Sequence, residues 1–188
     1  MNNVNFFQIY VTLYIREILT FVSPYTMALT TIKNITMNNE EQVEILNTLI
    51  VINNDRIEGY ETASEDTEES DLKKLFADLQ HTSQKCKSEL ISEVQRLGGT
   101  PDEGTRITGK FFRVWMDVKA ALTGNDRKAI LNSCEYGENV AVETYDDALR
   151  NNMEELTSAQ QTMLSTHQAM LKADHSTVKG MIAMLEQA

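Results

Sequence analysis

The sequence predicts an all-α fold, a four-helix bundle made of two helical hairpins joined by a long crossover that carries a short helix of its own. Three observations predict it. Apolar residues recur at alternating steps of three and four over four long stretches, which is the spacing of one helix face. The 188 residues include only two prolines and eight glycines, and both kinds cluster where helices would have to stop. No run alternates in the manner of a strand, and no repeat of solenoid type is present.

The first helix is predicted from Asn39, an N-cap followed by Glu40 and Glu41, whose charge suits the positive end of a helix. Val43, Leu46, Ile50, Asn53, Ile57 and Tyr60 form its inward stripe, and it runs to about Ser64. The acidic stretch SEDTEES makes the turn. It lacks the spacing and the central glycine of a calcium loop, so it reads as a solvated connection. Ser70 is the predicted cap of the second helix, with the stripe Leu72, Phe76, Leu79, Ser83, Cys86, Leu90, Val94 and Leu97. Gly98 and Gly99, with Pro101 just beyond, end it. The connection 98–125 contains the apolar set Phe111, Phe112, Trp115, Val118 and Leu122, which predicts a short helix lying across the others. Gly124 and Asn125 stop that piece and cap the third long helix. Its stripe of Ile130, Cys134, Gly137, Ala141, Thr144 and Ala148 is rich in small residues, the mark of close helix approach, with Tyr145 beside it. Asn151 and Asn152 make the next turn. The last stripe is Leu156, Gln160, Met163, His167, Met170, Asp174, Val178, Met181 and Leu185.

Residues 1–36 differ in composition. Arg16, Glu17 and Lys33 are their only charged side chains, a net of +1, so residues 37–188 carry −12 against −11 for the whole chain. No basic residues precede the apolar stretch as a secretory signal would require. Gln8, Thr12, Arg16 and Glu17 interrupt the roughly 20 apolar residues that a membrane span needs. The segment is therefore read as an extension upstream of a true start at Met37, as an added helix, or, last in order, as a poor membrane anchor. Residues 37–188 are the helical domain.

The acidic charge argues against nucleic acid and anionic membrane surfaces as partners, because both demand a basic face. Cys86 and Cys134 fall on apolar stripes and read as reduced core residues, and two cysteines cannot make a four-cysteine zinc site. No Gly-rich phosphate loop or nucleophile elbow occurs.

One long crossover between two hairpins is the ferritin-like arrangement of a bundle. The strings LNTLIVINNDRIEGYETASED, ELISEVQRLGGTPDEG, FFRVWMDVKAAL and ILNSCEYGENVAVETYDDAL, in that order, resemble an uncharacterised bacterial family of ferritin-like four-helix bundles, a domain of unknown function, over about residues 40–185. The resemblance implies the fold, a cytoplasmic location and distant kinship with ferritins and rubrerythrins, and it implies no reaction.

A di-iron site in such a bundle needs a Glu from each of two helices and a Glu-x-x-His from each of the other two. Asp78, Leu164 and Lys172 stand three residues before His81, His167 and His175, so no Glu-x-x-His exists. Asp78-x-x-His81 is out of phase with its stripe and is expected to face solvent. Glu138, which flanks the third stripe, and His167 and Asp174 on the fourth are the candidate metal ligands, for iron, zinc or manganese. Reflecting one helix on the other through the turn near residue 153 makes Glu138 and His167 neighbours, while Asp174 is about two turns from His167. The same residues, with Asn53, Tyr60 and Tyr145, can instead form a buried hydrogen-bonded network that fixes helix register without metal. That network is the expectation. It makes the chain a non-enzymatic bundle that acts through self-assembly or a protein partner, with a stress-response role suggested by its relatives. The alternative is a metal-binding or oxidase-type protein with a non-standard site.

Overall fold

The computed structural model describes residues 38–104, 110–124 and 126–187, with the backbone alone for 110–112. The chain divides into two units, Met1–Glu40 and Glu41–Ala188, and the second holds the helical domain. Residues 1–36, and the three readings of them, lie outside the described residues.

Five helices and no strand make up the described secondary structure: α1 over 38–66, α2 Ser70–Arg96, α3 Lys110–Thr123, α4 Arg127–Asn151 and α5 Ser158–Glu186. Three predicted caps are corrected. The backbone is already helical at 38, so Asn39 lies inside α1. Ser70 is the first residue of α2, and Glu69 takes the N-cap position without a side-chain capping bond. The helix gains its stabilising charge from Asp71 in the first turn instead. Glu69 from the acidic connection and Asp71 from the first turn of α2 hold the Arg127 guanidinium at the start of α4. Asp126, one residue past the predicted Asn125, caps α4 by accepting from the Ala129 N–H at 3.0 Å. α5 opens on a capping box in which Thr157 and Gln160 serve each other's backbone N–H groups.

Side-chain bonds give the directions of the helices. Gln42 near the start of α1 meets Gln160 at the start of α5, and Arg56 meets Asp174 further along both, so α1 and α5 run parallel. Glu93 near the end of α2 also takes a bond from Gln160, while Thr82, earlier in α2, reaches Asp174, later in α5, so these two run antiparallel. Tyr145 with His167 and Glu135 with His175 set α4 against α5.

The inward faces agree with the stripes for α2 and α4. Leu72, Phe76, Leu79, Ser83, Cys86, Leu90 and Val94 are buried on the first; Ile130, Cys134, Gly137, Ala141 and Ala148 are buried on the second, with Thr144 half-buried. On α5 the stripe holds at Gln160, His167 and Val178, which are buried, and is displaced by one residue at two places. Leu164 and Leu171 take the fully buried positions and leave Met163 and Met170 half-buried, because leucine fills an interior site with less freedom to lose. The buried apolar residues form two clusters. One surrounds Leu46, Ile50, Leu90, Tyr145 and Leu164; the other surrounds Tyr60, Phe76, Val118, Ile130 and Val178. Between them along each helix sits a layer of buried polar groups that includes Asn53, Arg56, Ser83 and Glu138.

The turn after α2 follows its glycines. Gly98 has φ +82°, a conformation that costs glycine little, and the N–H groups of Gly98 and Gly99 close on the carbonyls of Gln95 and Val94. Asn47 and Asn54 on α1 then bind the passing backbone at Thr100, Asp102 and Gly104. Helix α3, with Val114, Val118, Ala121 and Leu122 buried, packs on glycines. A Cβ at Gly137 would meet Val114 Cγ1 at 2.9 Å, and one at Gly59 would lie 1.8 Å from the Trp115 ring. Among the described residues no helix is long and apolar enough to cross a membrane.

Gly59→Ala is expected to lower stability by about 1–3 kcal/mol, since the overlap with Trp115 outweighs the roughly 1 kcal/mol that alanine gains in helix propensity. Urea unfolding followed by circular dichroism checks this, and a more stable variant would contradict the packing of Trp115 on α1.

Candidate functional site

The polar layer centres on Arg56, which shares the inward face of α1 with Asn53, three residues before it, and Tyr60, four after it. All three are buried. Burial opposes the guanidinium's charge, but Glu138, Tyr60 and Asp174 outweigh it and hold Arg56 protonated, above its ordinary value.

Its donors are used in turn. Nε donates to Glu138 Oε1 at 3.2 Å, and Nη2 to both Glu138 oxygens at 2.9 and 2.7 Å. Nη1 donates to Ser83 Oγ on α2 at 2.6 Å. Nη2 also reaches Asp174 Oδ2 on α5 at 3.2 Å. One side chain of α1 thereby touches each of the other three long helices. The Tyr60 hydroxyl donates a short bond to Glu138 Oε1, while its ring lies stacked on Phe76 and edge-on to Trp115 at 4.9 Å. Burial, and then the Glu138 charge, push the Tyr60 hydroxyl well above its usual range. Asp174 has its second oxygen on Thr82 Oγ1 at 3.3 Å and is raised to about 6, chiefly by burial and against the pull of Arg56.

A second, smaller network lies nearer the other cluster. The Asn53 amide donates to Tyr145 Oη at 2.9 Å, and that hydroxyl stands 3.5 Å from His167 Nδ1. His167 is fully buried, and its Nε2 meets Glu89 Oε2 at 3.0 Å. Burial lowers the His167 pKa although Glu89 works against the shift.

Of the three sequence-derived candidates, then, Glu138 and Asp174 converge on a common point, and that point is a guanidinium. His167 is engaged elsewhere, by Tyr145 and Glu89. Among the described residues no three of His, Cys, Asp and Glu stand together as a metal-holding group. His81 is exposed, as its phase predicted. The apolar stripes miss Arg56 and Glu89. The signal for Arg56 was its phase, since steps of three from Asn53 and four to Tyr60 leave the residue nowhere to point but inward; its charge argued for the surface.

Burial lifts the Cys86 thiol to about 11 and raises Cys134 and Tyr145 further, so all three are held protonated. A guanidinium is neither acid nor base near neutrality.

The fold and this layer define an all-helical domain organised around an ion pair that spans its helices. The chain belongs to the family described as Domain of unknown function (DUF2383), whose model matches residues 41–151. That span runs from α1 to the end of α4 and contains Arg56, Ser83 and Glu138, whereas His167 and Asp174 lie beyond it. No curated protein matches the chain.

Tyr60→Phe deletes the hydroxyl donated to Glu138 and keeps the ring. A hydrogen bond to a charged, buried acceptor sets the expected loss at about 1.5–3 kcal/mol. Chemical denaturation measures it, and an unchanged midpoint would show that the short contact contributes nothing.

Proposed function

We infer that this chain is a ferritin-like four-helix bundle without a working di-iron site, one that acts through self-assembly or by binding a protein partner. The observation that carries the reading is the position of Arg56. Its fixed positive charge lies against Glu138 and Asp174, carboxylates from two separate helices, where a bundle of this type would use carboxylates to hold metal ions. A guanidinium supplies the compensating charge covalently, and a metal could enter only by displacing it. The helix directions support the ferritin-like reading, since α1 parallel to α5 and antiparallel to α2 requires a crossover between the hairpins, and α3 lies in that crossover. The absence of any Glu-x-x-His from the sequence agrees.

With the interior occupied, the surface is left to carry function. Met116, Tyr136, Met153 and Met184 are each about half exposed or more, and methionine adapts readily to a partner's shape. The exposed charges of α1 between 41 and 66 are all acidic, which favours a basic protein face over nucleic acid. A bacterial stress-response role and a cytoplasmic location rest on the resemblance alone.

Elemental analysis of protein purified without a histidine tag and incubated with iron, zinc and manganese tests the reading. Metal well below one equivalent per chain is expected. A stoichiometric metal that is lost on Asp174→Ala or His167→Ala would overturn it in favour of a metal-binding or oxidase-type protein.

A further inference from the structure

We propose that the groove where the start of α1 passes the end of α4 is a binding site for a linear organic polycation, a small molecule with ammonium groups spaced along a methylene chain. The groove has a volume of about 660 Å³, within the range of small-molecule sites. One wall is pinned from inside. Buried Gln42 on α1 donates to the Glu155 carbonyl at 2.7 Å and accepts from Gln160 at 2.9 Å, which holds the connection between α4 and α5 against α1. Four carboxylates line the space, Glu41, Glu44, Asp147 and Glu155, and among the described residues no basic side chain does. Asp147 meets Arg150 at 2.5 Å outside it, with both side chains exposed.

Glu155 exerts the strongest pull on a ligand. Its Oε2 is shut off from solvent and meets no hydrogen-bond donor among the described residues. A carboxylate oxygen kept from water without a donor is costly. The donors of the groove itself are spent elsewhere. The hydroxyls of Thr48 and Thr144 and the amide of Asn152 each donate to the carbonyl four residues back in their own helix. An ammonium brings three donors and the opposing charge. The carboxylates are also spread rather than gathered, since among the described residues no three of His, Cys, Asp and Glu stand close enough to hold one metal ion. Charges spaced along a flexible chain match that layout, whereas a single compact ion does not. Ile45 and Ala148 line the same space and give the methylenes an apolar surface to cover. None of these residues belongs to the Arg56 layer, so the site goes beyond the function inferred above and does not depend on it.

Calorimetric titration of the full-length protein with spermidine at low ionic strength tests the site. One spermidine per chain is expected, with an affinity that falls as salt screens the carboxylates. Glu155→Gln, and separately Glu41→Gln combined with Glu44→Gln, are each expected to weaken binding about fivefold or more, with the fold unchanged by circular dichroism. Glu58→Gln combined with Glu61→Gln removes two exposed charges of α1 outside the groove and is expected to leave the affinity within about twofold. Butylamine, which carries a single ammonium, is expected to bind about tenfold more weakly or less well still. Equal weakening by the substitutions inside and outside the groove would reduce the binding to overall acidic charge and overturn the site. Displacement of spermidine by an equal concentration of magnesium, or no saturable binding at all, would do the same. Acetylated trilysine amide has as many ammonium groups as spermidine. If it displaced spermidine at about a tenth of the concentration, the groove would belong to the lysines of a protein partner, and the small-molecule assignment would fall.

Discussion

A guanidinium taken out of water must be given back its hydrogen bonds and an opposing charge, and that requirement organises the interior of this protein. Arg56 is among the largest fully buried side chains of the chain. Left unpaired, such a charge would cost more than a domain of this size has to spare. It is satisfied only when Glu138 comes from α4, Ser83 from α2 and Asp174 from α5 at the same level. A helix that rotates by one residue, about 100°, or slides by a turn takes its partner away. The ion pair therefore specifies both the phase and the register of four helices that apolar stripes alone would leave free to slip.

Specification is a different matter from net stability. A buried ion pair can be no better than a well-packed apolar group of the same volume, while breaking it is severe. The two apolar clusters on either side of the polar layer supply the hydrophobic driving force, and their residues are the aliphatic and aromatic side chains that lose most on exposure. The layer between them selects which arrangement of those clusters is native. Tyr60 belongs to both, with its ring in the apolar cluster and its hydroxyl on Glu138.

Much of this was legible in the sequence, and the exceptions share a cause. Periodicity located the helices, and the small residues of α4 foretold the close approach of α3 at Gly137. Gly98 ended α2 in the left-handed conformation its position demanded. Glu138 and Asp174 were recognised as inward polar groups, but their partner was not, because a stripe built from apolar residues passes over an arginine in the right phase. His167 was assigned to Glu138 by reflecting one helix on the other, whereas it reaches across to Glu89 on α2, a contact between residues 78 apart in the chain that no local pattern encodes. Caps were the least legible feature. Asn39 and Ser70 have the right chemistry, yet α1 is already helical before the first, and Arg127 draws Glu69 and Asp71 to α4 at the second.

The most direct test of the account is a double-mutant cycle on Arg56→Met and Glu138→Met, read by urea unfolding. If the pair sets the register of the interior, each single change costs about 3–5 kcal/mol by stranding a buried charge. The double change then costs clearly less than their sum, with a coupling of about 2 kcal/mol or more. Single costs below about 1 kcal/mol that simply add would contradict it, and would leave the apolar clusters as the sole source of the fold's specificity.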